Sequence, residues 1–156
     1  MANTGLDSSP QDAIAASHFS IVVDGTEIAQ FNELAGITTE IDVIEYMGPA
    51  AEGRGIVAKM PGREKPPNIV LKRGKSTSME IYGWYEASLM GPDHKEDAKR
   101  NGSLILYDYE QKPVGKYHFY MGWVSKISLS SMKAASNEIL MEEVTIVCER
   151  LDRVNP

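Results

Sequence analysis

Residues Asn68–Gly91 read NIVLKRGKSTSMEIYGWYEASLMG: an apolar strand, then Gly74-Lys75-Ser76-Thr77, then a helical pattern. That is the order of a phosphate-binding loop, whose presence would make this a nucleotide-binding α/β domain. The motif needs a glycine, four residues and then Gly-Lys-Ser/Thr, so that successive backbone N–H groups curl around the phosphates. Its first glycine would fall at position 69, which is Ile69, followed by Val70 and Leu71. A strand occupies the place of the loop, and the nucleotide reading fails. The hydroxyls have another use. Thr77-Ser78-Met79-Glu80 has the form of a capping box, with the Thr77 hydroxyl accepting from the Glu80 N–H and Glu80 reaching back. Ile81, Trp84, Tyr85 and Leu89 then share one face of a helix predicted over 77–90, which Gly91-Pro92 stops. The stretch is a strand-to-helix corner, with those four residues as the helix's core side.

Around this corner the chain alternates with period two. HFSIVVDGTEIAQF puts Phe19, Ile21 and Val23 on one face, and Asp24-Gly25 is a strong hairpin signal leading to a second strand ending at Phe31. ITTEIDVIEYM is a further strand, with Ile37, Thr39, Ile41 and Val43 on one side. The next segment, GPAAEGRGIVAKMPGREKPPN, is rich in Gly, Pro and charge. It reads as a long excursion around a short strand over Ile56–Met60, and a loop of that size is usually functional or an interaction arm. SLILYDY and PVGKYHFYMGWV form a hairpin across Glu110-Gln111-Lys112, and KISLSSM and NEILMEEVTIVCER supply the last strands. About eight short strands and one helix, with no internal repeat, argue a mainly β sandwich or barrel. Such a sheet must cover, charge or pair its edges.

The 156 residues, 42% hydrophobic and 24% charged, suit one domain with its own core. We expect residues 1–17 to be an N-terminal arm, 18–150 the domain and 151–156 a C-terminal tail. Sixteen Lys and Arg against 22 Asp and Glu leave a net charge of −6, which offers no general basic surface for nucleic acid or an anionic membrane. The only cysteine, Cys148, lies in the apolar run VTIVCE and reads as a buried structural thiol. No apolar run is long enough to span a bilayer, and the first residues lack the basic start of a secretory leader, so cytoplasmic synthesis without membrane anchoring is expected.

Catalytic, metal and cofactor patterns are not found. GRGIVA (53–58) matches a loose dinucleotide pattern, but Pro49 precedes it and Pro61-Gly62 follows within a turn, so no strand–turn–helix fits. His18, His94 and His118 stand apart, no Cys/His spacing suits zinc, and Glu142-Glu143 point to opposite faces of a strand. We therefore expect no enzyme, no metal site and no cofactor. Glu40 and Asp42 share a strand face, as do Glu138 and Glu142; a solvated acidic face can line a channel and keep polyanions from its wall.

Taken in order, FSIVVDG, FNELAGITTEIDVIEYMG, KMPGREKPPNIVLKRG, the helix carrying Trp84, the hairpin and NEILMEEVTIVCE resemble the tail tube proteins of contractile phages. They resemble still more closely the inner-tube proteins of extracellular contractile injection systems. The resemblance runs from Phe19 to Glu149, and its most specific pieces are Val43-Ile44-Glu45-Tyr46, Lys59-Met60-Pro61-Gly62, Lys72-Arg73-Gly74 and Asn137-Glu138. It departs where Trp123-Val124-Ser125 lacks the proline that often follows that tryptophan, and in the length of the N-terminal arm. The resemblance implies a fold like the type VI secretion tube protein: two packed antiparallel sheets closed against one helix.

It further implies a non-enzymatic structural protein whose hexameric rings join strands of neighbouring subunits into one barrel and stack into a tube. The partners implied are copies of itself, a sheath, a baseplate hub and a terminator or cap. Effector or DNA cargo would pass along the lumen without specific recognition, within a phage tail-like particle. Met47–Pro67 becomes an arm to a neighbouring subunit or the next ring. Lys59, Pro61, Gly62, Arg63, Lys72, Arg73, Lys75, Asn137 and Glu138 become candidate interface residues, the basic ones pairing with acids of an adjoining subunit. Glu40 and Asp42 become lumen candidates. A phage tail tube conveying DNA is the alternative within this class, and a monomeric β-barrel that binds a small ligand is the alternative outside it.

Overall fold

Eight strands and one helix make up the structure, a computed structural model that describes residues 16–48, 53, 55–74, 79–90, 98–131, 133, 135, 137 and 139–156. The strands are β1 (His18–Val23), β2 (Thr26–Phe31), β3 (Glu33–Gly48), β4 (Ile56–Gly74), β5 (Arg100–Tyr107), β6 (Pro113–Leu129), β7 (Met141–Val147) and β8 (Arg150–Val154); α1 spans Glu80–Leu89 between β4 and β5. Asp24 and Gly25 both take positive φ, as the tight turn between β1 and β2 requires.

All strands belong to one antiparallel sheet in the order β2-β1-β5-β6-β7-β4-β3, with β8 also paired to β6. Two separate sheets were the expectation; one forms because β6, at 17 residues, is long enough to serve both halves. Pro113–Gly122 of β6 pairs with β5, Lys116–Tyr120 pairs with β8 on the other side, and Trp123–Leu129 pairs with β7. PVGKYHFYMGWV and the KISL of KISLSSM are thus parts of one strand. Positive φ at Met121 and a register shift between Val124 and Lys126 bend it where proline is absent. Part of the expected C-terminal tail is β8, which continues the line of β7 beyond Cys148 and Glu149.

The ends of the sheet, β2 and β3, are separated in the chain by Asn32 alone, so the sheet curls until its ends meet there. The hydrogen-bonded path itself stays open and does not close into a barrel. Inside the curl Phe19, Ile21, Phe31 and Leu104 pack with Ile69, Leu71, Val144 and Ile146 in one core. α1 covers this core with Ile81 and Trp84, both fully buried, and the Trp84 Nε1–H donates to the Ala98 carbonyl at 2.7 Å. Tyr85 is half-buried, whereas Leu89 is 65% exposed and lies outside the core. The helix starts at Glu80 with Met79 as its N-cap and no side-chain cap, two residues later than the capping box implied; Thr77 lies outside the described residues. The N-terminal arm, apart from Ala16 and Ser17, also lies outside them.

Candidate assembly surfaces

The Gly- and Pro-rich segment that reads as a loop is instead most of a 19-residue strand. β3 and β4 pair along their whole length, from Glu33 opposite Lys72 to Gly48 opposite Ile56. The prolines fit because they sit at irregularities: the register shifts between Thr38 and Glu40, opposite Pro66-Pro67, and between Ile41 and Val43, beside Pro61. Over Ile56–Pro67, β4 has no second strand beside it on the β7 side among the described residues, so this part and the outer part of β3 form a two-stranded ribbon projecting from the sheet. Gly62 permits the close crossing at the ribbon's bulge, where a Cβ would stand 2.9 Å from both the Asp42 carbonyl and Ile44 Cγ1.

Cross-strand partners share a face. One face of the ribbon carries Val43 with Pro61 and Met47 with Val57; the other carries Ile44 with Met60 and Tyr46 with Ala58. Both faces are apolar and both are open to solvent, with Val43 64% and Met47 70% exposed. A lone two-stranded ribbon is marginal in water, and apolar patches of this extent mark interaction sites. Lys59 lies on it, paired with Glu45 at 3.4 Å, and Arg63 is exposed near its base. Glu40 and Asp42 do not form a bare acidic face: Lys65 lies between them, 2.8 Å from Glu40 and 3.4 Å from Asp42. Hydrogen bonding to Glu40, then to Asp42, holds the Lys65 ammonium above its ordinary pKa.

The outer face of the sheet half β6-β7-β4-β3 is ordered in rows across four strands. Glu33, Lys72, Glu143 and Ser128 make one row, Gly36, Val70, Thr145 and Lys126 a second, and Thr38, Asn68, Val147 and Trp123 a third. Lys72 bridges Glu33 at 3.5 Å and Glu143 at 3.9 Å, so its partners are in its own chain. The same correction applies more strongly to Arg73. Its Nε–H donates to Glu142 Oε2 at 2.9 Å, with the two side chains only 7% and 4% exposed, and its guanidinium lies 5.4 Å from the centre of the Phe31 ring. Arg73 is a core ion pair and not a free interface cation, because register places β7's acids directly opposite it. Asn137 is exposed; Lys75 and Glu138 lie outside the described residues.

His118 Nδ1 and Ser103 Oγ are 2.6 Å apart on neighbouring strands, and His18 stacks on Tyr107. No group of three or more His, Cys, Asp or Glu able to hold a metal occurs among the described residues. Cys148 is fully buried, and burial pushes its thiol up to about 11, away from reactivity. The interior where a small ligand would sit in a binding barrel is filled by Trp84, Phe31 and Phe119.

Residues 15–152 match the family described as T4-like virus tail tube protein gp19. No curated protein sequence matches. Among solved structures, a chain of an extracellular contractile injection system, in the PVC sheath-tube complex in extended state, is similar with a TM-score of 0.73 and 23% identity over 94% of this chain and 95% of that one. A chain of the anti-feeding prophage cap, the AFP tube terminating cap, has a TM-score of 0.77 and 23% identity over the whole of both chains. The tail of an empty GTA particle with C6 symmetry is more distant, with a TM-score of 0.59 and 12% identity over 87% of this chain and 95% of that one.

Proposed function

The chain belongs to the T4-like virus tail tube protein gp19 family, a family of structural tube proteins, and from that premise we propose that it is the inner-tube subunit of a contractile injection system. Its copies close into hexameric rings, the rings stack around a lumen, and cargo travels through it without specific recognition. The observation that carries this reading is the two-sided apolar ribbon. Eight large apolar residues, Ile41, Val43, Ile44, Tyr46, Met47, Ile56, Val57 and Met60, are each about half exposed or more. Covering each is worth about 1 kcal/mol, so together they offer on the order of 8 kcal/mol before the cost of association. Repeated head-to-tail contacts give rings where the rotation closes and filaments where it does not. The ribbon is the arm that meets neighbouring copies.

Sheath, terminator or cap, and baseplate are the further partners, in a particle assembled in a bacterial cytoplasm. An injection system is put before a phage tail because injection-system chains share the fold, with TM-scores of 0.73 and 0.77; a phage tail tube conveying DNA is the second reading, favoured by the description of the family. The ribbon gives the test. Val43→Glu with Met47→Glu places two charges on one ribbon face, away from the core. The variant is expected to fold as a monomer with native circular dichroism and to form no tubes by electron microscopy. Tubes as abundant as those of the parent chain would overturn the reading.

A further inference from the structure

The sulfur atoms of this chain divide sharply by exposure. Cys148, the only thiol, is fully buried, whereas the thioethers of Met47, Met60, Met79, Met90 and Met121 are open to solvent. A thioether needs no deprotonation to react, so exposure decides which sulfur an oxidant reaches. Two of these five methionines stand on the ribbon, one on each face. Met47 lies opposite Val57, on the face that carries Val43 with Pro61 and Glu45 with Lys59. Met60 lies opposite Ile44 on the other face, next to the pair Tyr46 with Ala58. Gly55 leaves room for Met47, since a Cβ there would stand 2.6 Å from Met47 Cε. Unbranched, flexible thioethers suit a surface that must fit an irregular partner, and the same exposure opens them to oxidation.

We propose that Met47 and Met60 form a reversible oxidation site that switches off assembly of the free subunit, a proposal that rests on the tube reading above. Hydrogen peroxide is the co-reactant. The sulfur lone pair attacks one peroxide oxygen, so an S–O bond forms and the O–O bond breaks. The hydroxide that leaves removes the proton from the oxygen now on sulfur. Sulfur loses two electrons, the peroxide gains them, and the products are methionine sulfoxide and water. On the free subunit both sulfoxides would face water and leave the fold intact, because neither residue belongs to the core cluster. At a covered contact each would be a polar acceptor on an apolar surface. Ile44 and Ala58 beside Met60 offer no donor, and the Lys59 ammonium on the Met47 face is already held by Glu45 at 3.4 Å. Burying an acceptor without a donor weakens a contact by about tenfold or more. Assembly in turn shields both sulfurs, so the site is open only before the subunit joins a tube.

The test treats unassembled chain with dilute hydrogen peroxide, removes the excess with catalase, and counts tubes by electron microscopy while peptide mass spectrometry locates the sulfoxides. Sulfoxide at Met47 and Met60 is expected with native circular dichroism and a loss of tubes of about tenfold or more, and methionine sulfoxide reductases are expected to restore them. Met47→Leu with Met60→Leu keeps volume and apolarity and should assemble after peroxide as before it. Met79→Leu with Met90→Leu, at the ends of α1, should stay as sensitive as the parent chain. Oxidised parent chain that assembles as well as untreated chain overturns the proposal and leaves the tube reading intact. So does a Met47→Leu, Met60→Leu variant that peroxide still disables, or an oxidised chain that has lost its native circular dichroism. Untreated chain that never assembles, even with sheath and baseplate proteins present, overturns the tube reading and the proposal with it.

Discussion

Replacing Arg73 by methionine should cost the folded subunit about 3–5 kcal/mol. The pair it breaks is 2.9 Å long, with its side chains 7% and 4% exposed, so water screens the attraction little. At an effective dielectric of about 20, unit charges roughly 4 Å apart attract by about 4 kcal/mol, and the variant forfeits an attraction of that order. The guanidinium's place beside Phe31 adds lost packing. The assay is urea unfolding of dissociated subunit at fixed concentration, because assembly would raise the apparent stability. Adding Glu142→Met to Arg73→Met removes both charges, and the double variant should recover most of the loss, since apolar replacements of buried pairs are often neutral. If Arg73→Met costs under about 1 kcal/mol, as an exposed pair would, or if the double variant is no better than the single one, the buried-pair argument is wrong.

Two further outcomes follow from close contacts and burial. Gly102→Ala should destabilise the monomer by about 1–3 kcal/mol in the same urea assay, because its Cβ would stand 2.6 Å from the Val22 carbonyl and 2.5 Å from Phe119 Cζ. Cys148 should resist thiol reagents at pH 8 until the subunit unfolds. Its folded pKa of about 11 lies above the unfolded value, so its contribution to stability is full below pH 9 and is lost as pH rises through 11; Cys148→Ala should flatten that loss in a pH series of melting curves.

The strands facing the core were legible because they alternate: Phe19, Ile21 and Val23 announce β1, and Ile69 and Leu71 announce the inner part of β4. Ile81 and Trp84 were legible on α1 by helical spacing, but Leu89, on the same predicted face, lies beyond the part of α1 that the core covers. The ribbon was misread for a physical reason. Its apolar residues occupy both faces, so no alternation marks it, and its prolines and glycines, which signal loops, occupy bulges between paired strands. Lys72 and Arg73 were read as pairing with acids of an adjoining subunit because their partners within the chain, Glu143 and Glu142, come from about 70 residues later, and only the β4–β7 register brings them opposite. Local sequence carries no record of a non-local register. β8 was missed because RLDRV has no apolar face of its own and pairs only as a continuation of β7.

Averaged top views of the purified, unaltered protein by negative-stain electron microscopy test the central claim most directly. Six-fold rings with an open centre, stacking into tubes of uniform width in side view, are the predicted result. A 17.2 kDa monomer at high concentration, with sheath and baseplate proteins also present, would contradict it.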